Sequence, residues 1–288
     1  MATMQRAEPT LGRTEARKPT MLPPTVFWRI REAIPAPLAW TLGGLSILAP
    51  LGIWLLATAI RWAPPLFLPA PANVLAALGR LWSDGLLQQD IGASVVRVLA
   101  GFLLAVLISV PLGILMGTFP SIQSLTEPLI GVVRYMPASA FIPLLIIWLG
   151  IGEQPKIALI FIGTLFFNTL MVADAVKFIP RDWIHAAYTL GARRPQVLLT
   201  VICPAMLPSI IDSARVNLAA AWNLVIVAEL VAATSGLGFR IIKAQKFLRT
   251  DEIFAGLIVI GLIGVAFDLS FRLLQRWSCP WVEGTHDE

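Results

Sequence analysis

Two histidines, His185 and His286, and two cysteines, Cys203 and Cys279, are all the imidazole and thiol chemistry in this chain. Their spacing fits no metal motif and no nucleophile–base pair. The sequence has no GxxxxGK[ST] loop to cradle nucleotide phosphates and no HExxH pair. What remains is the chemistry of binding and transfer, carried by ionisable and amide side chains set within apolar runs. Such groups are costly in a bilayer and face protein or a water-filled path. Arg97 and Glu229 lie at similar depth near the ends of their runs, which predicts an ion pair. Arg134 and Arg215 lie deeper. Either could meet an anion, or pair with Glu127, Asp174, Asp268 or a carbonyl freed by a proline. With Tyr135, Ser139, Asn168, Asn217 and Asn223 they form the set expected to line a translocation path.

The elements that must position these residues are membrane spans. Of 288 residues, 57% are hydrophobic and 14% charged, and the mean hydropathy of +0.78 excludes a soluble globular protein. Apolar runs long enough to cross a bilayer predict an all-α polytopic bundle of about six spans, near 38–60, 91–118, 123–149, 156–175, 209–233 and 253–275. Residues 1–37 read as a cytoplasmic tail rather than a signal peptide, with 26–34 on the membrane surface. Residues 38–276 read as the membrane domain and 277–288 as a short tail. The net charge of +5 comes without a basic tract interleaved with aromatics, which argues against nucleic acid and for lysine and arginine retained on the cytoplasmic side.

Three stretches carry more than hydropathy. Gly101, Ala105, Ser109, Gly113 and Gly117 recur every fourth residue, a smooth stripe for close helix packing within the subunit or against a second copy. Pro128, Pro137 and Pro143 predict a third span kinked or broken near Pro137. The basic run from Gly236 to Thr250 reads either as a helix on lipid headgroups or as an outer surface for an acidic partner or an anionic solute.

The stretch from Arg181 to Pro208 is neither span nor ordinary loop. Asp182 can cap a short helix that places Trp183, Ile184, Ala187 and Tyr188 on one side and Asp182, His185 and Thr189 on the other. Gly191 suits a left-handed stop. Pro195 suits the start of a second short helix ended by Pro204 and Pro208.

This stretch resembles the EAA loop of bacterial ABC-importer permeases: Glu-Ala-Ala, three residues, Gly, nine residues, an apolar residue, any residue, Leu-Pro. The chain has His185-Ala186-Ala187, Gly191, Val201 and Cys203-Pro204 at those spacings, with His185 in place of Glu and Cys203 in place of Leu. RYMPASAFIPLLIIWLGIGEQPK and the rest of 68–277 resemble the nitrate, sulfonate, taurine and bicarbonate permeases. The resemblance implies a type I importer (MetI-like) permease fold in a bacterial inner membrane, multi-pass with both termini cytoplasmic. It implies a homodimer carrying a small anionic solute by alternating access. Two copies of a separate ATPase would bind the ATP and magnesium, and a binding protein outside would deliver the solute, so this chain would be non-catalytic and bind no cofactor. Asp182, Trp183, Ile184, His185, Ala186, Ala187, Tyr188, Leu190, Gly191 and Pro204 would then couple to the ATPase. The alternatives are a self-contained secondary transporter or channel, and a membrane enzyme or scaffold.

Overall fold

The computed structural model describes residues 34–281. The tail expected over residues 1–37, including the surface segment at 26–34, lies almost wholly outside the described residues, as does most of 277–288. The chain divides into two compact units, Met1–Trp54 and Leu55–Glu288.

Helix α1 (Ala36–Ala59) is apolar throughout, has Pro50 inside it and buries none of its residues. Its 24 residues give roughly 36 Å, enough to cross hydrocarbon. Helix α2 (Pro71–Ser83) starts on a proline, whose missing N–H costs nothing in a first turn, and buries Val74, Ala77 and Leu81 along one side. Gly85, at φ 73°, then turns the chain into α3 (Leu86–Thr118).

Helices α3 and α6 (Gln154–Lys177) run parallel in close contact, and the small-residue stripe makes this possible. A Cβ on Gly101 would lie 2.7 Å from the Ile157 carbonyl, one on Gly113 2.7 Å from that of Thr169, and one on Gly117 2.6 Å from that of Ala173. The three glycines meet carbonyls at one constant offset and the side chains of Ile160, Val172 and Val176 one turn further on. This second offset also pairs Ser109 with Asn168, whose Nδ2 donates to Ser109 Oγ at 2.6 Å. The stripe is thus spent inside the subunit, the first of the two readings above.

Between them the third span breaks where the prolines predict. Helix α4 (Pro120–Val133) ends at Arg134, a 3₁₀ turn covers Ala138–Phe141, and α5 (Ile142–Leu149) leaves at 81°. Among the described residues five helices are long and apolar enough to cross a membrane, and six spans result if the bent pair counts as one.

After α6 come α7 (Arg181–Thr189), α8 (Arg194–Val197), α9 (Cys203–Ala232), α10 (Leu237–Lys246) and α11 (Thr250–Ser278). Two expectations need correction. The second short helix does not stop at Pro204 and Pro208: it widens into a π-turn at Leu198–Ile202 and continues as α9, with Pro204 in its first turn and Pro208 inside. The wider turn relieves the clash between the Pro204 ring and the carbonyl four residues back. The fifth span therefore begins near Arg194, not Ser209, and is 38 residues long. Nor does α10 simply lie on headgroups, because Leu237, Gly238, Arg240 and Ala244 are buried.

The main apolar core joins Val98 and Phe102 of α3, Ile160 of α6, Leu218, Trp222 and Val225 of α9, and Val259 of α11. Trp222 satisfies its indole N–H on the Ile260 carbonyl at 3.1 Å and meets Phe267 edge-on at 5.8 Å.

Candidate functional site

Two constellations stand at opposite ends of the bundle. At one end α7 begins at Arg181, not Trp183, with Pro180 at the N-cap and no side-chain cap. Asp182 is thus a first-turn carboxylate favoured by the helix dipole rather than the cap residue. His185 is correspondingly the fifth helical residue, beyond reach of a capping box. Gly191, at φ 85°, ends the helix in the left-handed region, where Ala192 N–H returns to the Ala187 carbonyl at 3.0 Å. The next helix opens with Arg193 N–H donating to Gln196 Oε1 at 2.7 Å.

The expected apolar side of α7 is divided by the fold. Ile184 and Ala187 are half-buried against a cluster of Ile114, Val172, Val176, Val197, Ile202 and Met206. They tie the helix to the bundle on that side. Trp183, Tyr188 and Leu190 are 54%, 46% and 88% exposed. The outward surface is therefore Asp182, His185, Ala186 and Thr189, flanked by these three large side chains. Cys203 and Pro204 sit at the root of α9, with Cys203 packed against the same cluster.

At the other end Arg97 is 2% exposed and has every donor group engaged. Its Nη1 lies 2.7 Å from Glu229 Oε1 and 2.7 Å from the Ser235 carbonyl, its Nη2 lies 2.8 Å from Glu153 Oε1 and 3.1 Å from Ser235 Oγ, and its Nε also bonds Glu153. Glu229 further accepts from Ser94 Oγ at 2.7 Å and Gly238 N–H at 2.8 Å. Asp90 accepts Gly236 N–H on Oδ1 at 2.8 Å and takes both Nε and Nη2 of Arg240 on Oδ2, at 2.7 and 2.6 Å. The N-terminus of α10 is thus held by two carboxylates and the Ser94 hydroxyl, as its dipole and free N–H groups require. Gly236 has φ 120°, and a Cβ there would run into the Glu229 carboxylate. In the loop before α6, the Arg97 guanidinium holds the Glu153 carboxyl down at about 2, with Lys156 acting in the same direction against burial.

This clasp reaches beyond the Arg97–Glu229 pair legible in the sequence. Asp90, Ser94, Glu153 and Lys156 join it in the fold, as does Arg240 from the basic run. Asp90, Ser94 and Arg97 share one side of α3 and continue the small-residue stripe, a signal that could have found them. Glu153, in a loop, offered none.

The path candidates do not converge. Asn168 and Asn217 are buried and bonded to each other at 3.1 Å, so they join α6 to α9. Arg215 is shared between Asp212 and Asp268 at 3.4 and 3.7 Å. With Asn223 it lines a groove of about 240 Å³ between α9 and α11. Arg134, Tyr135 and Ser139 lie exposed at the break between α4 and α5.

Residues 109–284 match the family described as binding-protein-dependent transport system inner membrane component. The chain belongs to that family. It is similar to the taurine transport system permease protein TauC of Escherichia coli (strain K12), 38% identical over 246 residues, covering 84% of this chain and 89% of that protein. It is also similar to the putative aliphatic sulfonates transport permease protein SsuC of the same organism, 33% identical over 250 residues, covering 86% and 95%. Its fold is that of MetI-like permeases: a chain of the MetNI methionine ABC transporter in an inward-facing conformation superposes with a TM-score of 0.62 at 19% identity, covering 67% of this chain and 96% of that one. An inner-membrane, multi-pass permease of the ABC-importer type follows from family and fold together.

Proposed function

We propose that this chain is the translocating subunit of an importer for a small anionic solute of the taurine, alkanesulfonate, bicarbonate or nitrate class, driven by a separate ATPase. Two copies of the chain form the path. Two ATPase subunits, which bind ATP and magnesium, grip the α7–α8 knuckle on the cytoplasmic side, where both termini also lie. A binding protein delivers solute at the clasp end. Coupling runs through Asp182, Trp183, His185, Ala186, Tyr188, Leu190 and Gly191, while Ile184, Ala187 and Pro204 hold the knuckle to the bundle.

The observation that carries the reading is the knuckle's construction. A short helix presents large side chains outward, is riveted to the ends of α3 and α6 on its other side, and feeds through a π-turn into one continuous helix. From Arg194 to Val231 that helix is 38 residues, roughly 57 Å, and carries Glu229 of the clasp in its last turn. A push on the knuckle is thereby delivered to the far end, which suits rigid-body alternation between inward-open and outward-open states.

The test is reconstitution with the neighbouring ATPase and binding protein, reading solute-stimulated ATP hydrolysis across taurine, aliphatic sulfonates, bicarbonate and nitrate. Gly191→Pro, which cannot adopt φ 85°, abolishes that stimulation while membrane insertion stays intact. Solute uptake by the purified chain alone, or labelling of the knuckle from outside the cell, overturns the reading in favour of a self-contained transporter or channel.

A further inference from the structure

We infer that Arg134, held by Tyr135 at the break in the third span, is the group that receives the anionic end of the solute within the membrane; this rests on the importer reading above. The break lies at membrane depth. Gly163 of α6 lets Ala138 approach, a Cβ there standing 3.0 Å from that of Ala138, and it also abuts Leu224 of α9. Gly163 is roughly 14 Å along α6 from Gln154, and Leu224 roughly 12 Å from the end of α9 at Ala232. Arg134 lines one small cleft with Ala138, Gly163 and Phe166.

Two independent features meet there. Backbone that leaves the helical pattern at this depth is tolerated where it lines protein or water, and the residues from Arg134 to Pro137 are exposed. The charge is also uncommitted. Arg97 has its donors filled by Glu153, Glu229 and Ser235, and Arg215 is divided between two aspartates. Among the described residues Arg134 makes no ion pair. Its Nη2 lies 3.0 Å from the Tyr135 hydroxyl and its guanidinium stacks 4.8 Å from that ring's centre. Tyr135 thus engages Nη2 and the ring face, and leaves the Nε and Nη1 hydrogens as donors without a protein partner among the described residues. A sulfonate, carboxylate or bicarbonate brings a negative charge and oxygens to accept from these donors, and a neutral solute brings no charge.

The test uses the whole importer in proteoliposomes with its ATPase and binding protein. The probe is whichever of taurine, ethanesulfonate and bicarbonate most stimulates the wild-type complex. Arg134→Gln lowers uptake per ATP hydrolysed by about tenfold or more, the worth of a charge-assisted hydrogen bond. Stimulation by the loaded binding protein and the native mass of the complex stay unchanged. Arg134→Lys, which keeps the charge without the planar guanidinium, falls between. Should Arg134→Gln not assemble, Arg134→Lys decides alone on the same ratio. Wild-type uptake per ATP in the deciding variant overturns the assignment. So does loss of uptake together with dissociation of the dimer, which would make Arg134 the partner of a carboxylate on the second copy. A wild-type complex that answers to none of the three probes overturns the importer reading itself, and this inference with it.

Discussion

Glu229→Gln is the sharpest test of the clasp, because it changes charge at constant shape. The Glu229 side chain is fully enclosed: Oε1 accepts from Ser94 and Arg97, both at 2.7 Å, and Oε2 accepts from Gly238 N–H at 2.8 Å. A glutamine has one acceptor and one donor, so its amide nitrogen must meet either Gly238 N–H or the Arg97–Ser94 pair. Either way two donors oppose each other, and Arg97, only 2% exposed, keeps Glu153 but loses its buried counter-charge. Breaking a buried pair from one side costs about 3–5 kcal/mol. At roughly 2–4 °C per kcal/mol for a chain of this size, the melting midpoint should fall by about 10 °C. The assay is tryptophan fluorescence on heating the purified permease–ATPase complex in detergent, with Arg97→Met and the Arg97→Met/Glu229→Met double variant alongside. The double variant should lose less than the sum of the single ones, since it strands no lone charge in this pair. A Glu229→Gln midpoint within about 2 °C of wild type, or strict additivity in the double variant, would refute the argument.

Two further outcomes follow from the same geometry. Gly117→Val places methyl groups where a bare Cβ already lies 2.6 Å from the Ala173 carbonyl, so α3 and α6 must part, at about 1–3 kcal/mol; Gly131→Ala, with open space around it, serves as control, and equal melting points for the two would contradict the parallel packing. The Glu153 carboxyl is held down at about 2 from an ordinary 4.5, chiefly by Arg97. A depressed carboxylate stabilises fully above pH 4.5 and loses its contribution as pH falls towards 2. A ¹³C shift titration of Glu153 should therefore show no midpoint near 4.5, and such a midpoint would show the Arg97 contact to be absent.

By itself the sequence determined what local pattern can determine. Apolar runs set the spans, since a chain in hydrocarbon must bond its own backbone and helices do so within the run. Pro137 placed the break, because proline removes a donor wherever it stands. Gly191 placed the end of α7, because a left-handed residue asks for glycine in any fold. The stripe from Gly101 to Gly117 announced a close contact, though not its partner.

Apart from the Arg97–Glu229 pair, partners were decided by tertiary structure alone. That α6 rather than a second copy fills the stripe, that Glu153, Asp90 and Arg240 join Arg97 and Glu229, and that Asn168 and Asn217 bond each other all depend on the offset at which distant helices settle. The same holds for Ile184 and Ala187. Helical spacing put them on one side with Trp183 and Tyr188, and only the ends of α3 and α6 divided that side into a buried part and an exposed one. A side chain's direction about its own axis is local information, whereas what stands opposite it is fixed by how whole helices pack.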